Sequence, residues 1–73
     1  MKLRWNKKQC EDYSTAVTKV TGEEEQEWLV AWREEPRSLE EVLEETSVRC
    51  SDGWRKLQEF EKQAIATELG FEL

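Results

Sequence analysis

The sequence predicts a mainly α-helical fold, a single small domain of about four short helices. Three observations favour this fold class. Residue pairs with capping-box spacing stand at three places, apolar residues recur at helical spacing, and isolated glycines and one proline separate the segments. The chain has 73 residues, which is the size of one domain with room for a small core only.

The first helix is predicted to begin after Asn6, whose side chain stands three residues before Gln9. Gly22 is expected to end this helix, because glycine readily takes the left-handed conformation found there. Its inner face is predicted to be an apolar stripe at spacings of three and four, formed by Cys10, Tyr13, Val17 and Val20.

A second helix is predicted over the acidic segment after Thr21, which has capping-box spacing to Glu24. Trp28 and Trp32 lie four residues apart and would share one face. Pro36 would stop this helix, since proline cannot donate to the helical ladder.

A hairpin of about 13–20 with 27–33 is the alternative for the same region. Five of the seven residues from 15 to 21 are β-branched, and such side chains favour strands. Trp28, Val30 and Trp32 also alternate with the period of a strand. The alternative fold class is therefore α+β, with a C-terminal helix that is either ordered or frayed.

The third helix is predicted from Ser38, and a fourth from Asp52 to about Leu69. Two helices joined by a short turn give residues 38–69 the outline of a helix-turn-helix. Residues 1–5 are expected to form an arm, and the end, about 70–73 or more, is a candidate for disorder.

The charge is large for the length and unevenly placed. Eleven basic and seventeen acidic residues give a net charge of −6. Residues 1–8 carry four cations and no acid, whereas residues 23–45 hold ten acids against Arg33 and Arg37, a net charge of −8. Such a field repels nucleic acid and attracts basic protein surfaces, so no direct nucleic-acid binding is expected.

The residue types argue against catalysis. Without histidine there is no imidazole base and no Ser-His or Cys-His pair. Cys10 and Cys50 are too few and too far apart for a structural zinc site, and two free thiols in a reducing cytoplasm are expected. No run is apolar for long enough to span a membrane. We therefore predict a cytoplasmic non-enzyme without cofactor or metal, monomeric when free.

A protein-binding role is predicted for two groups of side chains. Trp28, Trp32 and Trp54 are expected to serve first as core residues, whereas Trp5 is expected to stand in the basic arm as an exposed anchor. The first group is basic and lies in this arm and directly after it: Arg4, Trp5, Lys7 and Lys8. The second group consists of the acidic helices around two tryptophans: Trp28, Trp32, Glu40, Glu41, Glu44 and Glu45.

The length of 73 residues and the opening from Met1 to Cys10, MKLRWNKKQC, resemble the small transcription regulator with which a Xanthomonas bacteriophage binds the host RNA polymerase. The resemblance implies binding near the start of the largest polymerase subunit. It also implies inhibition of initiation at host promoters and read-through of terminators. Two alternatives remain: a helix-turn-helix DNA-binding regulator, and an acidic inhibitor that imitates nucleic acid.

Overall fold

The fold is α+β. A computed structural model of the protein describes residues 2–29 and 36–71, and in them three helices and two small antiparallel sheets form. The predicted mainly α fold of about four helices is therefore wrong, and the α+β alternative fits better. The helices are α1 (Lys7–Thr21), α2 (Leu39–Glu45) and α3 (Glu59–Glu68). The strands are β1 (Lys2–Leu3), β2 (Gln26–Glu27), β3 (Arg37–Ser38), β4 (Ser47–Cys50) and β5 (Gly53–Lys56).

Helix α1 begins and ends where the sequence predicts. The Gln9 N–H donates to the Asn6 side chain at 2.9 Å, and the Asn6 N–H donates to the Gln9 side chain at 3.3 Å. At the other end Gly22 has a φ of 78°, and its N–H donates to the Thr18 carbonyl at 2.7 Å. Glycine takes this left-handed conformation without a Cβ clash, so it closes the helix.

The predicted hairpin of 13–20 with 27–33 does not form, because residues 13–20 lie inside α1. The β-branched side chains there adapt to the helix. The hydroxyls of Thr15 and Thr21 donate to the carbonyls four residues earlier, at 2.9 and 2.7 Å. Such bonds give threonine a usable rotamer in a helix, so the β propensity of this segment is overridden.

The predicted second helix is replaced, in its described part, by β2 and irregular backbone. The Gln26 amide donates to the Thr18 hydroxyl at 2.7 Å and to the Ser14 carbonyl at 3.2 Å, which holds the segment against α1. These tertiary contacts outweigh the local preference of a glutamate run for a helix start. Residues 30–35, which include Trp32, lie outside the described residues.

The three-stranded sheet has the strand order β2-β4-β5, and all its pairs are antiparallel. Strands β4 and β5 form a hairpin in which Cys50 pairs with Gly53, so Ser51 and Asp52 make the turn. Gly53 has a φ of 121°, a value that side-chain-bearing residues rarely adopt. The second sheet is smaller and joins β1 to β3.

This hairpin lies where the sequence predicted a helix-turn-helix. Helix α2 begins at its predicted cap, where the Glu41 N–H donates to the Ser38 hydroxyl at 3.1 Å. The predicted helix from Asp52 to about Leu69, however, begins only at Glu59. Two strands stand between α2 and α3, so the helix-turn-helix-like outline of 38–69 is wrong.

The core is enclosed by the three helices and the inner face of the β2-β4-β5 sheet. Helix α1 packs against α3. The buried apolar residues come from the segment before α1, from the three helices, from β4 and from the connection between β5 and α3: Trp5, Tyr13, Ala16, Val17, Leu39, Val42, Leu43, Val48, Leu57, Ile65 and Ala66. None of the described helices is long and apolar enough to cross a membrane.

The described C-terminal end is closed by backbone bonds. The Phe71 N–H donates to the Ala66 carbonyl at 2.8 Å, and the Gly70 N–H donates to the Thr67 carbonyl at 3.0 Å. This is the Schellman arrangement, which satisfies carbonyls that the end of α3 would otherwise leave without partners. Phe71 packs against the core, and residues 72 and 73 lie outside the described residues.

Candidate interaction surfaces

Trp5 belongs to the core and not to an exposed arm. Only 2% of its surface is exposed, and its ring meets Tyr13 edge-on at 5.3 Å between centroids. Its indole N–H donates to the Arg37 carbonyl at 3.0 Å. The prediction of an exposed Trp5 anchor is therefore wrong, because β1 pairs with β3 and draws the chain across the aromatic cluster.

Trp28 completes that cluster. Its ring lies 5.0 Å from Tyr13 and 6.4 Å from Trp5. It is half-buried and packs against the core. Trp32, predicted beside it as a second anchor, lies outside the described residues.

The predicted basic group is exposed apart from its tryptophan. Arg4 precedes α1, whereas Lys7 and Lys8 occupy its first turn. Lys8 pairs with Asp12 one turn later at 3.3 Å, and both side chains are largely in solvent. Cations in a first turn oppose the helix dipole, and the pair with Asp12 offsets part of this cost at Lys8.

Helix α2 presents the predicted acidic group. Its apolar residues face the core, while Glu40, Glu41 and Glu44 are exposed. The Lys62 ammonium bonds Glu44 at 2.7 Å and lowers the pKa of that carboxyl. Glu45 instead turns inward to Arg37, at 2.7 Å. The structure thus brings three of the four predicted α2 carboxylates to the surface.

A shallow groove runs between α2 and α3 on this acidic side. Its volume is about 260 Å³, and Lys62 lies in it between Glu44 and Glu59, the latter at 3.3 Å. The Lys62 side chain is 13% exposed, and its two carboxylate partners raise its pKa. The groove therefore contains a network of ion pairs centred on Lys62, and its rim is acidic and includes Glu40.

Sequence reasoning missed a second surface, the solvent face of the β4–β5 hairpin. Trp54 was predicted as core, which is wrong, since 46% of it is exposed. Arg49 lies opposite it across the strands, with its guanidinium 5.8 Å from the ring centroid. Lys56, two residues after Trp54, points to the same face. The Asp52-Gly53 pair, at the end of the turn before Trp54, was the local signal that could have revealed this hairpin.

Two potentially reactive side chains, the Cys10 thiol and the Tyr13 phenol, are partly or fully buried. Burial raises the pKa of the Cys10 thiol and of the Tyr13 phenol. The Tyr13 hydroxyl bonds Thr46, whose own hydroxyl donates to the Val42 carbonyl at 2.7 Å. Cys10 and Cys50 are both free. Within residues 2–29 and 36–71, no group of three acidic, cysteine or histidine side chains could hold a metal ion.

Comparison with known proteins yields no relative: no protein-family model, curated protein or solved structure matches this chain. The function implied by the resemblance of its first ten residues to a phage regulator of host RNA polymerase therefore stays a prediction.

Proposed function

We propose that this chain is a phage-type, non-enzymatic regulator that binds host RNA polymerase through the acidic face of α2. The observation that supports this most directly is the division of α2 into two faces. Leu39, Val42 and Leu43 are buried, so the exposed carboxylates are held on a helix that the core itself fixes.

The charge of the molecule supports a basic partner surface. RNA polymerase has basic surfaces shaped for nucleic acid, and a row of carboxylates on one helix face complements such a surface. Glu40 and Glu44 stand one helical turn apart, so their Cβ atoms are about 5–6 Å apart on the same side of the helix. By occupying such a surface the protein would inhibit initiation at host promoters and promote antitermination.

Two features of α2 make the proposed surface testable without unfolding the protein. Glu40 and Glu41 are exposed, and among the described residues neither takes part in an ion pair. Their replacement by glutamine keeps the shape of the side chain. It removes a favourable interaction with the helix dipole that is typically worth about 0.3–1 kcal/mol per charge.

The test is direct binding of the whole chain to purified RNA polymerase from a Xanthomonas host, at about 0.1 M salt. We expect the Glu40→Gln/Glu41→Gln variant to bind roughly tenfold more weakly, since each lost surface charge costs up to about 1 kcal/mol. Addition of the wild type should lower promoter-specific transcription by the holoenzyme and raise read-through at a terminator.

The matched control removes two charges elsewhere, in Glu11→Gln/Asp12→Asn on the exposed side of α1. This variant should bind like the wild type. Equal weakening of both variants would show that net charge alone acts, and no binding of the wild type to polymerase would exclude the proposal.

A further inference from the structure

The exposed aromatic ring of Trp54 has an unusual neighbour for so acidic a chain. Arg49 lies against this ring at 5.8 Å, and among the described residues it makes no ion pair with a carboxylate. A guanidinium over an indole is a favourable cation–π contact. It also holds the ring in place, and a pre-ordered tryptophan is the kind of side chain that anchors interfaces.

The backbone beside this ring faces outward. The Arg49 N–H donates to the Glu25 carbonyl at 3.0 Å, on the β2 side of β4. Because backbone groups alternate in direction along an antiparallel strand, Val48 bonds toward β5 and pairs there with Arg55. The N–H and C=O of Trp54 then point to the outer edge of β5. Within the described residues, no strand lies beyond that edge.

The charges on the solvent face of the sheet change sign from one edge to the other. Strand β2 contributes Glu27, and Glu25 lies opposite Arg49. At the other edge β5 contributes Lys56, whose ammonium is 3.4 Å from the Glu45 carbonyl and whose side chain is exposed. Arg49 and Lys56 therefore place two exposed cations on the solvent face beside Trp54, in a molecule with a net charge of −6.

We propose that the outer edge of β5 binds an extended acidic peptide segment of a partner protein as an additional strand. The backbone of Trp54 would supply the ladder hydrogen bonds, and its ring would cover the aliphatic part of a glutamate side chain on the same face of the added strand. Arg49 and Lys56 would meet carboxylates at alternate positions. This surface differs from the α2 carboxylates, so the inference does not depend on the function proposed above.

Two other roles of the same residues are less favoured by the structure. A lysine on an edge strand protects against unwanted pairing, but the adjacent exposed Trp54 adds apolar area that pairing would cover. Single-stranded nucleic acid also binds aromatic and basic groups. Glu25 and Glu27 on the same sheet, however, oppose a long polyanion more than a short peptide.

The test uses the ¹⁵N-labelled whole chain and a synthetic peptide of seven residues that alternates glutamate and valine. We expect amide shifts centred on β5 and slower hydrogen exchange of the Trp54 amide. Trp54→Ala should weaken binding by roughly tenfold or more, as expected for an interface tryptophan. The matched control is Phe60→Ala on α3, which removes a more exposed aromatic ring (66% against 46% for Trp54) and should leave binding unchanged.

A peptide with proline in place of valine keeps the charge but lacks the N–H groups for strand pairing, so it should not bind. The Glu40→Gln/Glu41→Gln variant should bind the glutamate–valine peptide like the wild type. The proposal is overturned if the peptide does not bind, if the proline peptide binds equally well, or if Phe60→Ala is as damaging as Trp54→Ala. Tighter binding of an oligothymidylate, or concentration-dependent shifts of β5 without peptide, would also overturn it in favour of nucleic acid or a second copy of the chain.

Discussion

At the scale of single residues, Trp5 is held by both its apolar and its polar parts. Its ring packs against Tyr13 and Trp28, and its indole N–H bonds the Arg37 carbonyl. That carbonyl belongs to β3, which pairs with β1. One side chain therefore joins the N-terminal segment to residues more than thirty positions away and closes one side of the core.

We expect Trp5→Phe to lower the free energy of unfolding by about 2–4 kcal/mol. The smaller ring leaves a cavity, and the Arg37 carbonyl loses its buried donor. Urea denaturation followed by circular dichroism measures the change. Trp54→Phe is the matched control and should change the free energy by less than about 0.5 kcal/mol, because an exposed ring is replaced. Equal destabilisation by the two variants would contradict the burial of Trp5.

At the scale of secondary structure elements, one buried ion pair fastens the hairpin to α3. The Arg55 guanidinium on β5 bonds both carboxylate oxygens of Glu61, at 2.7 and 2.9 Å. The Gln58 N–H donates to the same carboxylate at 2.9 Å and so caps the start of α3. Arg55 lowers the pKa of Glu61 more than burial raises it.

This pair predicts a pH-dependent contribution to stability. Because the pKa of Glu61 is lower in the folded state than its ordinary value of 4.5, its contribution is present above that pH and is lost as the pH falls below it. We expect Glu61→Gln to cost about 2 kcal/mol near pH 7, less than a fully buried pair since Arg55 is partly exposed. The difference from the wild type should shrink toward about pH 3.

Urea midpoints measured across this pH range test the prediction. Glu59→Gln, at a solvent-exposed site in the same first turn, is the control. Its urea midpoint should change with pH in parallel with that of the wild type. If the loss of stability in Glu61→Gln stays constant down to the lowest pH, the charge of the Glu61 carboxylate does not contribute to stability.

The elements that the sequence predicts well are those whose signals are local. Asn6, Gly22 and Ser38 each act on backbone groups within a few residues, so the ends of α1 and the start of α2 follow from them. The spacing around Trp54 is misleading, because Trp54, Leu57 and Phe60 recur at a helical interval of three, whereas Trp54 lies in β5. Its partner Arg49 is defined only by the register of β4 with β5.

The candidate surfaces divide in the same way. Glu40 and Glu41 are exposed as the helical spacing around the buried Val42 and Leu43 requires. The burial of Trp5 depends on the pairing of β1 with β3, a contact between distant segments. Local sequence patterns hold no information on that contact, so they do not distinguish an exposed Trp5 in an arm from a buried Trp5 in the core.

At the scale of the whole molecule, the position of a charge matters as well as the total. The protein extends 34 × 22 × 18 Å. Electrostatic interactions decay over about 8 Å at 0.15 M salt but over about 30 Å at 0.01 M. A partner therefore senses one face of the protein at physiological salt and its whole net charge of −6 at low salt.

This difference predicts how salt acts on association with RNA polymerase. We expect Glu40→Gln/Glu41→Gln to slow association at about 0.15 M salt, whereas Glu11→Gln/Asp12→Asn does not, because only the first pair faces the partner within the screening distance. At about 0.01 M salt both variants should slow association to a similar degree, since each lowers the net negative charge by two. Stopped-flow association rates measured over this range provide the comparison. If the two variants differ by the same factor at every salt concentration, the effect is one of local contacts and not of the field around the acidic face.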